Sequence, residues 1–206
     1  MIKYLSISFL ATLLLSFTGK DTPFQGIITY SVKVESIDPL IKTASFEKIT
    51  GTELKIYVKG ASIRAVCNGT SKASSVIVQK NHAILTTQKL GNDAAALFLK
   101  ENTLFAIQPN KEEIILNKKC YQLSCDVKSE FPDTYLKKDY FLCESCIMDK
   151  SPFAGNKSAL SMYKALEKGN LPLKMIFEGA AYKVTYVATS IEEKELHDSV
   201  LDPDQN

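Results

Sequence analysis

Four of the five cysteines in this 206-residue chain fall in two short stretches, KKCYQLSCDV and FLCESCIMDK. The first stretch holds Cys120 and Cys125, and the second holds Cys143 and Cys146 at C-x-x-C spacing. Thiols spaced in this way serve as redox pairs, as zinc ligands or as structural disulfides. Cys67 lies far from both stretches. Because an odd number leaves one cysteine unpaired in a monomer, we expect Cys67 to be the free thiol.

The spacing of the other four cysteines favours two nested disulfides. Cys120 and Cys125 lie on one predicted strand, where five residues span about 16 Å, whereas bridged cysteines have Cα atoms within about 7 Å of each other. A hairpin centred on residues 133–134 brings Cys125 opposite Cys143 and, with a small bulge, brings Cys120 near Cys146. We therefore predict the disulfides Cys125–Cys143 and Cys120–Cys146.

Three other arrangements of these cysteines remain open. Cys143 and Cys146 can close a bridge alone, because Glu144 and Ser145 can form a turn. A redox pair needs its first cysteine at a helix N-terminus, where the dipole lowers the thiol pKa, but no helix is predicted after Cys146. The C-x4-C and C-x2-C spacings are close to those of a zinc ribbon. Four thiolate ligands are unusual in an oxidising compartment, so we predict no metal and no cofactor.

The N-terminal segment has the layout of a secretory signal peptide. A short basic start is followed by the uncharged apolar run YLSISFLATLLLSF and then by TGKDTP. These three regions predict cleavage near residues 18–20. The run is short for a membrane span, which needs about 20 apolar residues, and the alternative is a buried N-terminal helix. We predict a signal peptide at residues 1–19 and a single domain at residues 20–206. The mature chain is expected to be periplasmic or secreted, without an integral membrane span.

Most of the mature chain is patterned as β-strands. In FQGIITYSVKVES, the apolar residues Ile28, Tyr30, Val32 and Val34 alternate with polar ones, which indicates a half-buried strand. Further predicted strands are ELKIYVKG, SIRAVCN, SSVIVQ, HAILTTQ, AALFLK, TLFAIQ, EEIILN, CYQLSCDVK, DYFLC, LKMIFEG and AYKVTYVATSI. Short turn signals such as KG, NG and PN separate many of them and favour antiparallel neighbours.

Two segments have helical spacing. NKSALSMYKALEKGN ends at Gly169, a usual helix stop, and DPLIKTASFEKITG can place Ile41, Ser45 and Phe46 on one face. The predicted fold class is therefore mainly β with one or two helices (α+β), built on a large antiparallel sheet. Such a sheet must curve or close to hide its apolar face.

The segments FQGIITYSVKV, YVKGASIRAV, CYQLSCDV and GNLPLKMIF…AYKVTYVATSIEEKELHDSVLDP, taken in this order, resemble a family of exported gram-negative proteins of unknown function. That family is placed near the periplasmic lipoprotein carriers, the LolA/LolB-like superfamily. The resemblance implies a strongly curved sheet, or open half-barrel, around an apolar cavity that binds lipid or acyl groups. It transfers no carrier residues, because no local motif here matches them, and fold alone does not fix function.

A concave apolar face is a natural site for an apolar ligand. The residues predicted to line it are Tyr30, Val32, Ile56, Val58, Ile63, Phe105, Ile107, Met175 and Phe177. The alternative is that these side chains simply fill a core. We therefore predict a non-enzymatic envelope protein that binds a lipid-like ligand. The alternatives are an interaction module of the same fold that binds an envelope protein, and a thiol–disulfide oxidoreductase that uses the C-x-x-C.

Other features of the sequence carry less chemistry. The 25 Lys and Arg nearly cancel the 23 Asp and Glu, so charge predicts no nucleic-acid partner. His82 and His197 have no partner at metal spacing, and Asn68 and Asn156 begin N-glycosylation sequons. The tripeptide at residues 198–200, DSV, looks like a short bacterial O-glycosylation site, which makes Ser199 a candidate for modification.

Overall fold

The protein is mainly β in a computed structural model. The structure describes residues 22–40, 42–70, 74–80, 83–89, 101–129, 135–150 and 166–202. Its ten strands are β1 (Gly26–Ser36), β2 (Glu53–Lys59), β3 (Ser62–Cys67), β4 (Ser74–Lys80), β5 (Ala83–Lys89), β6 (Glu101–Ile115), β7 (Lys118–Ser129), β8 (Tyr135–Ile147), β9 (Asn170–Glu178) and β10 (Tyr182–Glu193). One α-helix, α1 (Ala44–Thr50), and one 3-10 helix (Asp198–Leu201) accompany them. The predicted signal peptide and the predicted strand AALFLK lie outside the described residues.

All ten strands pair into a single antiparallel sheet in the order β5-β4-β3-β2-β1-β10-β9-β8-β7-β6. Strands that follow each other in the chain are neighbours in the sheet, except β5 and β6. The first strand, β1, and the last strand, β10, pair at the centre of the sheet. In that central ladder Gly26 lies opposite Glu193, and Ser36 lies opposite Tyr182. Within the described residues β5 and β6 form two separate edges, so the sheet is not closed. The predicted antiparallel, mainly β architecture is confirmed.

The alternation predicted for the first strand is confirmed. Ile28, Tyr30 and Val34 of β1 are buried, whereas Ser31 and Lys33 are exposed. The neighbouring β2 alternates in the same way, with Leu54, Ile56 and Val58 buried. These strands have one apolar face and one wetter face, as a period of two requires.

One predicted turn is wrong. The PN dipeptide at residues 109–110 was expected to separate two strands, but β6 runs without interruption from Glu101 to Ile115. Its pairing with β7 is instead irregular between Ile107 and Glu112. Proline has no N–H to give to a ladder and is tolerated at bulges and on edge strands, and β6 is an edge strand. The PN dipeptide therefore marks an irregularity in the β6–β7 pairing rather than a turn.

The predicted helix after β1 is present as the short helix α1. Phe46 stacks on Tyr182 of β10, with ring centroids 4.6 Å apart, and Gly51 ends the helix with a positive φ of 77°. Ile41 and the Ser45 side chain lie outside the described residues, as does most of the second predicted helix. Gly169, its predicted stop, has φ +81° and donates its N–H to the Leu166 carbonyl. In the described part of the chain, no helix combines the length and the apolar character needed to cross a membrane.

Candidate functional site

The predicted ligand-lining residues divide into a buried set and a half-buried set. The fully described buried members are Tyr30, Ile56, Val58, Ile63 and Met175, and all belong to one hydrophobic cluster. Val32 and Phe177 are half-buried and pack against that cluster. Phe105 and Ile107 lie in β6, opposite Cys125 and Leu123, but their side chains lie outside the described part of the structure. The buried set is packed as a core, and only the half-buried set borders open space.

The strand register places the half-buried Val32 and Tyr186 in one row with two buried residues. Val32 lies opposite Tyr186, Tyr186 lies opposite Met175, and Met175 lies opposite Tyr140. Directly opposite residues in an antiparallel sheet point to the same face. The row therefore crosses four strands, β1, β10, β9 and β8, on one face. Phe177, two residues after Met175 in β9, points to the same face, and Cys67 is near Tyr186. We call Val32, Phe177, Tyr186 and Cys67 the open apolar face.

Aromatic contacts hold this face together. The Phe177 ring centroid lies 5.5 Å from that of Tyr186 and 5.7 Å from that of Tyr140, distances at which tilted aromatic pairs are favourable. Burial raises the pKa of the Tyr186 hydroxyl well above its usual value, and the nearby Cys67 adds to that effect. Burial also raises the pKa of Cys67, which is a half-buried free thiol in the structure. The face is therefore uncharged at neutral pH.

The Lys138 side chain borders the open apolar face. The Lys138 ammonium lies 5.9 Å from the Phe177 ring centroid, and the Lys138 side chain is buried. Phe177 lies directly opposite Lys138 in the β8–β9 ladder. A cation over an aromatic ring is attracted by the negative face of the ring. This arrangement places positive charge at one end of an otherwise apolar surface.

The opposite face of β7–β9 is polar although it is buried. The Gln122 amide donates to the Ser124 hydroxyl at 3.0 Å, and that hydroxyl donates to an Asp139 carboxylate oxygen at 2.5 Å. All three side chains are buried. The sequence patterns did not identify this network. The network distinguishes the two faces of the sheet chemically.

The register of β7 and β8 corrects one predicted disulfide. Cys143 lies opposite Cys120, and Cys125 lies opposite Lys138, a shift of five residues from the predicted hairpin. Five strand residues span about 16 Å, so a Cys125–Cys143 bridge is wrong in this register. The Cys125 thiol instead donates to the Lys138 carbonyl at 3.3 Å.

Three buried thiols meet where the two cysteine stretches lie side by side. Cys143 lies directly opposite Cys120 in the β7–β8 ladder and three residues before Cys146 in β8. Its sulfur accepts the backbone N–H of Cys146 at 3.3 Å and lies 3.5 Å from the Ser145 hydroxyl. These contacts, from Cys120 first and then from Cys146, lower the pKa of Cys143. We call Cys120, Cys143 and Cys146 the thiol cluster; the predicted Cys120–Cys146 pair belongs to it.

The contacts within the thiol cluster have the opposite effect on its two outer members. The hydrogen bond to Cys143, followed by burial, raises the pKa of Cys120 and the pKa of Cys146. Cys143 is therefore the member that is best stabilised as a thiolate. The C-x-x-C segment sits where the β8–β9 ladder is interrupted between Leu142 and Ile147. Within the described residues, no group of three or more His, Cys, Asp or Glu side chains is arranged to hold a metal ion.

An open groove of about 790 Å³ lies beside the C-x-x-C segment at the surface. Its lining residues are Thr22, Pro23, Phe24, Gln25, Ser145, Glu193 and Glu195. Ser145, which lies between the two cysteines of the C-x-x-C, is exposed there. The chain before β1 crosses this region, with the Phe24 N–H donating to the Ile147 carbonyl at 2.6 Å. The groove therefore reaches Ser145, between Cys143 and Cys146 at the end of β8.

The remaining candidate residues make local structural contacts. The Asn68 side-chain oxygen accepts the backbone N–H groups of Thr52 and Glu53, at 2.8 and 3.0 Å. Ser199 lies in the 3-10 helix, where its hydroxyl is 2.8 Å from a ring nitrogen of His197. His82 and Asn156 lie outside the described residues. The modification of Ser199 stays a prediction.

No protein family's sequence profile matches the chain, and no curated protein matches it.

Proposed function

We propose that the chain is a non-enzymatic protein of the gram-negative envelope, exported by its N-terminal segment, that binds an apolar or acyl ligand. The observation that carries this proposal is the open apolar face, a group of half-buried side chains that pack against the core. Apolar surface left in water costs about 25 cal/mol per Å², so a lipid-like ligand that covers this face gains affinity. A curved, LolA-like sheet is part of the same proposal.

The chemistry of the face favours an amphiphile over a purely apolar molecule. Phe177 and Tyr186 provide apolar area with few rotatable bonds, and the Lys138 ammonium lies beside them. A fatty acid has a matching arrangement, because its chain can cover the rings while its carboxylate lies toward the cation. Binding of this kind requires no nucleophile, cofactor or metal.

We expect Phe177→Gln to weaken binding of a fluorescent fatty acid at least tenfold, because an amide replaces the ring at the centre of the open apolar face. Equilibrium fluorescence titration of the purified mature protein measures this effect. Ile176→Gln is the matched control, because Ile176 is equally half-buried but points to the opposite face. Thermal melts of both variants check that the fold survives.

Two outcomes would contradict the proposal. Wild-type protein that binds no fatty acid at micromolar concentration would favour a filled core. Equal loss of affinity in both variants, together with equal loss of stability, would show that Phe177 supports the fold rather than the ligand.

Export is tested separately. We expect the protein purified from the envelope to begin between about Gly19 and Thr22, since the signal peptide is removed after the apolar run. N-terminal sequencing or intact-mass measurement reads the first residue directly. An envelope protein that retains Met1 would contradict this expectation.

A protein-interaction module is the second candidate. Ile114 is 67% exposed on the edge strand β6, and Leu116 is 41% exposed in the turn that follows. Unpaired edge strands with apolar side chains are surfaces on which another chain can pair. Native mass spectrometry of protein from its own envelope separates the two candidates, since it reports a bound lipid and a bound partner as different mass increments.

The oxidoreductase alternative lacks the feature it was expected to have. Cys143 is buried within a strand rather than exposed at the start of a helix. Thioredoxin-type enzymes need the latter arrangement to attack a protein substrate. The thiol cluster therefore calls for a different interpretation.

A further inference from the structure

We propose that Cys120, Cys143 and Cys146 form an internal disulfide-exchange site in which the Cys143 sulfur is shared between two alternative bridges, Cys120–Cys143 and Cys143–Cys146. The argument does not depend on the ligand-binding proposal. It rests on the position of three thiols and on the groove beside them, which is lined by Ser145.

The geometry makes Cys143 the common partner. It lies directly across the β7–β8 ladder from Cys120, and cross-strand partners have Cβ atoms roughly 4.5–5.5 Å apart, close to the separation of about 4 Å in a disulfide. Cys146 approaches the same sulfur from along the chain, with its N–H 3.3 Å from it. Cys120 and Cys146 each contact Cys143, so either can bond to it with small side-chain movements.

The chemistry of the site balances without a metal or cofactor. A low-molecular-weight disulfide accepts two electrons and two protons from two of the thiols and leaves as two thiols, so that one protein bridge forms. The third cysteine then exchanges with that bridge. The Cys146 thiolate attacks the Cys143 sulfur of a Cys120–Cys143 bridge, the new bond forms, and Cys120 leaves as a thiolate that takes up the proton that Cys146 lost.

The fold also explains why the other two cysteines stay outside this exchange. Cys125 lies five residues along β7 from Cys120, and its thiol contacts the Lys138 carbonyl. Cys67 lies beside Tyr186 on the open apolar face. The groove supplies access, because the exposed Ser145 lies 3.5 Å from the Cys143 sulfur. An oxidised chain therefore always retains one thiol at this site.

The test uses the full mature protein. Reduced protein is oxidised with hydroxyethyl disulfide, the reagent is removed, and free thiols are alkylated in acid denaturant before non-reduced peptide mapping. We expect two linkages, both containing Cys143, with the alkyl label on Cys120 in some molecules and on Cys146 in others. Cys67 and Cys125 should carry the label in all molecules. A single linkage in every molecule, or any bridge to Cys125, would overturn the proposal.

Exchange between the two bridges is tested by starting from samples that contain them in different ratios. Diamide and hydroxyethyl disulfide are expected to give different initial ratios of the two linkages, which converge within hours after each oxidant is removed. A lasting difference would overturn the exchange. Cys120→Ser and Cys146→Ser should each form the one remaining bridge, whereas Cys143→Ser should oxidise at least tenfold more slowly than Cys125→Ser. If a variant does not fold, the peptide mapping of the wild-type protein still tests the proposal.

Discussion

Gly26→Ala is expected to destabilise the protein by about 3–5 kcal/mol, which corresponds to a fall in Tm of roughly 10 °C for a chain of this size. Gly26 starts β1 with φ +150°, and a methyl group there would lie 2.0 Å from the backbone oxygen of Glu192. The atoms that the methyl group would meet belong to the backbone of β10, which cannot move aside as a flexible side chain can. The β1–β10 ladder must therefore open at this end. Thermal unfolding followed by circular dichroism measures the loss.

Gly60 provides the matched control for this substitution. It also has a positive φ, +56°, but a methyl group added there meets nothing within 4 Å. Gly60→Ala should therefore cost only the backbone penalty of about 1–2 kcal/mol. Equal losses of stability in the two variants would show that the close approach of Gly26 to β10 does not cause the destabilisation.

Tyr30→Ala is expected to cost about 3–5 kcal/mol, because it removes a large, fully buried ring. Tyr30 lies opposite the small residue Ala188 on β10, and its hydroxyl reaches over that strand to donate to the Pro172 carbonyl of β9 at 2.6 Å. Tyr30→Phe keeps the ring and removes only the donor, so it should cost about 1–3 kcal/mol. Denaturant unfolding with unchanged slopes gives both values.

Tyr57→Phe is the control for the Tyr30 variants, which test whether Tyr30 fills the core or borders a ligand cavity. Tyr57 is half-buried on the other face of β2, and Tyr57→Phe should change stability by less than about 0.5 kcal/mol. A cost below about 1 kcal/mol for Tyr30→Ala would mean that Tyr30 borders a ligand cavity rather than filling the core. Fatty-acid affinity measured on the same variant would then fall with little loss of stability.

The facing of side chains in strands with one exposed face was predictable from the sequence, whereas the register of strands buried on both faces was not. In β1 the alternation of Tyr30 with Ser31 and Lys33 fixes which side chains point inward. In β7 and β8, residues 122–125 and 138–143 are buried without a break. A pattern without alternation does not favour one register over another. The five-residue error in pairing Cys125 with Cys143 follows directly from this.

The candidate site was predictable in part for a related reason. Val32 was identified because β1 alternates cleanly, whereas β9, which carries Phe177, has no such alternation. Tyr186 was not identified, because its place beside Val32 depends on β10 pairing with β1, and these strands are the furthest apart in the chain. Local patterns favour pairing between sequence neighbours, so they cannot reveal a row that is completed by the last strand.

The central position of the β1–β10 ladder also has a consequence for the order in which the chain can fold. Strands β1–β5 and strands β6–β10 each form a run of local hairpins, which close quickly. The ladder that unites them joins Gly26 to Glu193, so it has a very high sequence separation and must pay the largest loop-closure entropy in the sheet. During synthesis β1 therefore waits with one edge unpaired until the last strand has emerged. Over that interval the chain is most exposed to mispairing and to capture by chaperones.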